Sequence, residues 1–278
     1  MKLLFDKVSI SASKLVTRTY STSFSLGINC LHQKFHNAIY SIYGFVRFAD
    51  EIVDSFHDFN KAALLLEFKD ETYKAIERKI SLNPILNSFQ AVLHEYKIEM
   101  ELVDCFMHSM EMDLDKNAHS QSSYEQYILG SAEVVGLMCL RVFTEGNTQM
   151  YEQLKPAAMK LGAAFQKVNF LRDMQADYQE LGRIYFPTVN LSQFSEREKK
   201  QIEIEIQQDF DDAIAGIKQL PVSSRFGVYV AYVYYKALFS KIKSVPSARI
   251  MEERIRIPNY KKMSLLAGSY LKHSFGAL

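Results

Sequence analysis

Helix breakers are scarce in this chain: six prolines and eleven glycines are spread over 278 residues, and long intervals contain neither. Within those intervals apolar residues return every three or four positions, as in Ile39, Ile42, Tyr43, Val46, Ala49 and Val53. That rhythm lays a single apolar stripe along an α-helix. Strands would need period-two alternation bounded by turn residues, and little of it is present. Breaks are predicted near Asn60, Ser81 to Pro84, Asn117 to Ser123, Gly146-Asn147, Gly182 to Leu191, Leu220-Pro221 and Ser244 to Ser247, leaving about eight or more helices. Pro84 suits the first turn of a helix, where its missing N–H costs nothing. The run from Gly227 to Tyr235 is β-branched and aromatic, but helical rhythm continues through Leu238, Phe239 and Ile242, so it reads as a buried helix. Gly182 to Ser195 is the best loop candidate. No repeat, low-complexity segment or linker divides the chain, so the expected fold is all-α, a single domain over residues 1–278.

Composition narrows the function classes. With 48% hydrophobic and 23% charged residues the chain can bury a substantial core, and a net charge of +1 gives no field for nucleic acid. Cys30, Cys105 and Cys139 lie far apart without CxxC spacing, which favours a reducing compartment over a disulfide framework or zinc knuckle. Charge enters the N-terminus too early for a signal-peptide apolar region. No stretch reaches the roughly 18 apolar residues of a spanning helix, so the expectation is a soluble or peripherally attached protein.

Two carboxylate pairs carry the chemistry. Asp50 and Asp54 stand four apart, as do Asp173 and Asp177. At that spacing two side chains share a helix face about 6 Å apart, and like charges there call for a cation. An arbitrary pair of this kind is usually a solvated surface feature. Here Arg47 shares the face of Asp50, Asp54 and Tyr43, and the triad extends the apolar run from Ile39 to Ala49. The second pair shares its face with Gln166 and Asn169, following Leu161 to Phe165, with Arg172 beside it. Two such faces meeting across a helical bundle would hold a divalent cation and, through it, a diphosphate. Mg2+ prefers oxygen ligands and keeps positions for phosphate oxygens, while arginine contacts those oxygens directionally.

Other groups read as structural. His32 and His36 lack the glutamate of a zinc-protease motif, and no Rossmann or P-loop glycine pattern occurs. Glu111, Asp113 and Asp115 read as a helix end or surface face, and the alternating charges from Glu196 to Asp212 as a solvated helix face. Met107, Met110, Met112 and Met138 fit either a core or the wall of an apolar tunnel.

Four stretches together resemble the squalene/phytoene synthase family: Tyr20 to Ser25, Ile39 to Asp54, Val168 to Asp177, and Gly182 to Pro187. They occur in the family's order and spacing, and the wording around Phe45 and around Gly130 to Gly136 is most similar to bacterial phytoene synthases. The resemblance implies an isoprenoid synthase helical bundle with a central cavity. It makes Asp50, Asp54, Asp173 and Asp177 catalytic metal ligands, with Asn169 as the metal-side amide and Mg2+ (or Mn2+) bridging prenyl diphosphates. It places Arg47, Arg172 and Arg183 against diphosphate with a catalytic Tyr185 beside them, Phe24, Tyr43, Gln166 and Tyr235 along the prenyl pockets, and Arg254 among the substrate-binding residues. Where many relatives have a glycine, this chain has Glu133, expected to point away from the pocket.

The implied reaction joins two geranylgeranyl diphosphates head to head through a cyclopropyl diphosphate to phytoene, the first step of carotenoid biosynthesis. NADPH is not expected unless the enzyme is a squalene synthase. The alternatives are a squalene or dehydrosqualene synthase using farnesyl diphosphate, a catalytically silent assembly factor, and an unrelated helical phosphohydrolase. Expected partners are the prenyl diphosphates and downstream carotenoid enzymes, without nucleic acid. The expected location is the cytoplasm, with room for peripheral contact at the inner face of the membrane, although no strongly basic amphipathic helix stands out.

Overall fold

The computed structural model describes residues 1–114, 120–187, 189 and 194–274, and among these every regular element is a helix. In chain order they are α1 (Lys2–Tyr20), α2 (Thr22–Asn29), α3 (Gln33–Ser55), α4 (Lys61–Arg78), α5 (Pro84–Tyr96), α6 (Met100–Met112), α7 (Gln121–Ile128), α8 (Val134–Thr144), α9 (Thr148–Ala176), α10 (Glu196–Gln219), α11 (Val222–Lys243), α12 (Ser247–Ile250) and α13 (Asn259–Ser274). A π-helical turn, Leu129–Glu133, joins α7 to α8 without a break, and a second, Asp177–Leu181, extends α9. Boundaries follow local chemistry. Asn60, Asn83, Asn147 and Ser195 each accept from a backbone N–H in the first turn of the helix they precede, and Pro84 opens α5. The predicted breaks from Asn117 to His119 and from Asn190 to Leu191 lie outside the described residues.

Two apolar clusters build the core. One gathers α3, α5, α6 and α8 around the stacked rings of Phe45 and Phe89, 3.9 Å between centroids. The other gathers the C-terminal half of α9 with α10 and α11 around Phe210 and Phe239. The run from Gly227 to Tyr235 is indeed inside helix α11. Met107, Met110 and Met138 are fully buried core residues, and Met112 packs at the edge of the second cluster.

Three expectations need correction. Gln121–Thr144 forms one continuous helical run with a mean hydropathy of 1.4 in its best window, long and apolar enough by composition to cross a membrane. Since 61% of that window is buried inside the bundle, it is a core helix. The charges of α10 are not all solvated: Lys199 and Glu203 pair at 2.7 Å in the interior, and Asp209 receives Lys167 of α9 at 2.7 Å. α10 lies along α9, so its inward face must bury charge, and each buried charge has an opposite partner. Asp113 ends α6, but it is only 7% exposed and belongs to no surface face. Glu111 does sit near the surface, paired with Lys69 at 2.6 Å, and Asp115 lies outside the described residues.

α1 reverses the usual amphipathic arrangement. Its buried residues are Ser9, Ser13 and Thr17. Close approach explains this: a side chain on Gly44 of α3 would begin 2.8 Å from Ser13 Oγ, so only small residues fit where the helices meet. α5 satisfies the buried hydroxyls. Asn87 donates to Ser9 Oγ at 3.0 Å, and Ser13 and Ser88 share a hydrogen bond of 2.7 Å.

Candidate active site

A cavity of about 1260 Å³ opens beside the C-terminal ends of α1 and α3 and runs between the two clusters. Its wall includes Asp50 and Asp54 of α3, Asn169, Arg172 and Asp173 of α9, and Asp177 at the start of the π turn. Helical spacing puts each acidic pair on one face, and the packing of α3 and α9 around one space brings both faces to it. Phe24, Tyr43, Arg47, Gln166, Tyr185, Tyr235 and Arg254 line the same cavity. Arg183 alone of the sequence-predicted residues lies behind the wall rather than on it.

Each predicted arginine is already paired with a carboxylate. Arg172 grips Asp173 through Nε at 2.9 Å, and Arg254 grips the same carboxylate through Nε at 2.7 Å. Arg183 donates to Asp54 at 2.6 Å and to the carbonyls of Val53 and Asp113 at 3.1 and 2.9 Å. It thereby ties the segment after the π turn to the end of α3. Gly182 makes that path available, since it turns the chain at φ 68°, where a side chain would strain the backbone. Arg47 departs from the helix-face expectation: its guanidinium bonds Glu51 and lies 4.5 Å from the Tyr20 ring centre. Its Nε is buried without a hydrogen-bond partner.

Asp50 and Asp177 have no arginine of their own. Burial, then the neighbouring Asp54, pushes the Asp50 carboxyl up to about 7; burial, then Asp173, does the same to Asp177. The donor set fits a hard divalent cation: four carboxylates, two of them short of positive charge, and the Asn169 amide oxygen. The orphaned Nε of Arg47 fits an incoming anion. Among the described residues no three His, Cys, Asp or Glu side chains are gathered closely enough to hold a metal by themselves, and Mg2+ commonly takes one or two carboxylates with phosphate oxygens completing its shell.

Sequence reading missed Asp113 and Tyr127. Asp113 accepts from Tyr127 at 2.7 Å and Tyr185 at 3.3 Å, and stands 3.6 Å from Arg183. Burial pushes its carboxyl up to about 6 against the pull of Arg183. Tyr185 is held flat against Phe170, 4.1 Å between centroids. Farther in, Tyr235 donates to Asn169 at 3.3 Å and stacks on Phe165, while Phe24 stacks on Tyr43 at 4.5 Å. Gln166 donates to Ser131 in the first π turn at 3.3 Å. Glu133, in the same turn, is not part of the cavity wall and feels Lys160 and Lys167 of α9, as its expected outward orientation requires. His32 caps α3 and His36 bonds the Leu31 carbonyl, so both are structural.

A prediction follows from Asp50 and Asp177. Both bind their protons more tightly in the folded chain than in the unfolded one, so the metal-free protein loses stability as pH rises from about 4 to about 7. Mg2+ needs the ionised forms. The rise in Tm on adding Mg2+ with inorganic diphosphate should therefore be small at pH 5.5 and largest above pH 7, read by calorimetry. A rise independent of pH would separate these carboxylates from the metal.

An all-α cavity lined from two sides by paired aspartates and arginines defines the class: an isoprenoid synthase fold. The family model described as squalene/phytoene synthase matches residues 17–261, and the chain belongs to that family. It is a prenyltransferase of isoprenoid biosynthesis, and the reaction is a head-to-head condensation of prenyl diphosphates. Similar proteins include the phytoene synthase of Arthrospira platensis, 25% identical over 95% of this chain and 93% of its own length. The 15-cis-phytoene synthase of Synechococcus elongatus is 26% identical over 92% and 91%. Among solved structures, a dehydrosqualene synthase in complex with ligand superposes with a TM-score of 0.82 at 20% identity, covering 96% of this chain and 98% of its own. Squalene synthase HpnC from Alicyclobacillus acidocaldarius gives 0.74 at 18% identity, covering 89% and 96%.

Proposed function

We propose that the chain condenses two C20 prenyl diphosphates to phytoene, with Mg2+ held by Asp50, Asp54, Asn169, Asp173 and Asp177. The observation that carries this reading is the size and lining of the cavity. Behind the acidic wall it continues past Val46, Leu140, Phe143, Leu154, Ile217 and Leu220, an apolar lining suited to prenyl chains. At about 1260 Å³ the cavity has room for two long prenyl chains beside their diphosphates. The relatives named phytoene synthase support the same length.

Bound Mg2+ supplies positive charge to the diphosphate oxygens. Arg47, Arg172 and Arg254 line the place where that diphosphate would sit, each able to exchange its carboxylate for a phosphate oxygen, while Arg183 holds Asp54 from behind the wall. Charge developing on the leaving group is thereby stabilised as the allylic C1–O bond breaks. The resulting cation passes the stacked rings of Phe24 with Tyr43 and Phe165 with Tyr235, whose π faces attract positive charge. Attack by the second chain's double bond on that C1, followed by loss of a C1 proton, closes the cyclopropane. A second ionisation, rearrangement and proton loss give phytoene without a reductant.

The test is incubation with C15 and C20 diphosphates, with and without NADPH, followed by product identification. A C40 hydrocarbon with a central conjugated triene, formed from the C20 substrate without NADPH, is the expected result. Turnover confined to the C15 substrate would overturn it in favour of a dehydrosqualene-type or squalene-type product.

A further inference from the structure

We propose that the outward face of α1 is a docking surface for anionic lipid. Because α1 buries Ser9, Ser13 and Thr17 and turns Ala12 and Val16 partly inward, three of its larger apolar residues are left on the opposite face. Leu4, Val8 and Leu15 are 68%, 54% and 68% exposed. By helical geometry they fall within about 40° of one another, a continuous apolar stripe. Lys7, Lys14 and Arg18 form a second stripe along one side of it, with Ser11 between. The acidic residue of this helix, Asp6, is turned away from both stripes: it pairs with Lys2 at 2.9 Å and accepts from Asn87 at 3.1 Å. An exposed apolar strip flanked by basic residues lies in a headgroup interface with its charges at the phosphates.

The position of α1 supports a lipid rather than a protein occupant. α1 ends at Tyr20, which lines the cavity mouth together with Ser21, Ser23 and Phe24. A membrane along α1 therefore reaches the opening through which long apolar chains must enter and leave. The sequence leaves room for membrane contact but does not point to α1, because the helix looks ordinary until its polar face is found packed inward.

Flotation of the full-length protein with vesicles tests the proposal, and its readout does not depend on which product the enzyme makes. Vesicles of phosphatidylcholine alone are compared with vesicles containing about 30% phosphatidylglycerol. Wild type should float with the anionic vesicles, and about 0.5 M salt should weaken this. Lys7→Glu with Arg18→Glu should reduce partitioning at least tenfold, since each basic residue at such a surface is worth about fivefold. Leu4→Ser with Val8→Ser and Leu15→Ser should also detach the protein while leaving Tm and activity on detergent-dispersed substrate unchanged. Equal flotation of variants and wild type would overturn the proposal. So would absence of wild-type flotation, including the case in which the serine variant instead abolishes self-association and so reveals a second copy on this face.

Discussion

Asp173→Ala should reduce turnover with Mg2+ by about a thousandfold while leaving the fold intact, and Asp50→Ala should do the same. The two residues lie on different helices, α3 and α9, yet face one cavity. A site that holds a cation between both walls loses it when either wall loses its acid. Asp173 is also the shared partner of Arg172 and Arg254. Its removal frees two guanidinium groups at a partly open wall, where solvent can take its place, so stability should change little. The decisive measurement is product formed per enzyme at saturating substrate and Mg2+, beside a calorimetric Tm. Full turnover in either variant would refute the metal assignment. A Tm loss matching the activity loss would reduce these aspartates to a structural role.

The second large effect is expected at Asp113. Its carboxylate accepts from Tyr127 and Tyr185 and faces Arg183, all in the interior. Asp113→Ala removes the anion from a buried cation and the acceptor from two buried hydroxyls. Breaking a buried pair in this way costs about 3–5 kcal/mol, or about 6–15 °C in Tm for a chain of this size. Asp113→Asn keeps the shape and one acceptor oxygen, and should lose roughly half as much. Activity should fall in both, because Arg183 is held to Asp54 from this point. An unchanged Tm in Asp113→Ala would mean that Arg183 finds its support elsewhere.

These three residues show what could be seen before the fold. Asp50 and Asp173 stand out because each has a partner one helical turn away, and the periodicity that gives the helix also gives the pairing. Asp113 has no such local sign. Its burial depends on Arg183, seventy residues later, and on Tyr127 beyond the end of α6. Arg254 likewise meets Asp173 across 81 residues. The helices themselves were legible from breakers and caps. The inward polar face of α1 was not, since it follows from how closely Gly44 lets α1 approach α3. The buried charges of α10 were hidden for the same reason: only the neighbour, α9, decides which face is wet.

The pairing of every site arginine with a carboxylate bears on how substrate binding will respond to salt. Arg47 holds Glu51, Arg172 and Arg254 hold Asp173, and Arg183 holds Asp54. An arriving diphosphate meets occupied donors, so each contact it gains is one a carboxylate gives up. Such an exchange changes the number of screened ion contacts very little. Substrate affinity should therefore depend on ionic strength far less steeply than so many arginines around one site would suggest.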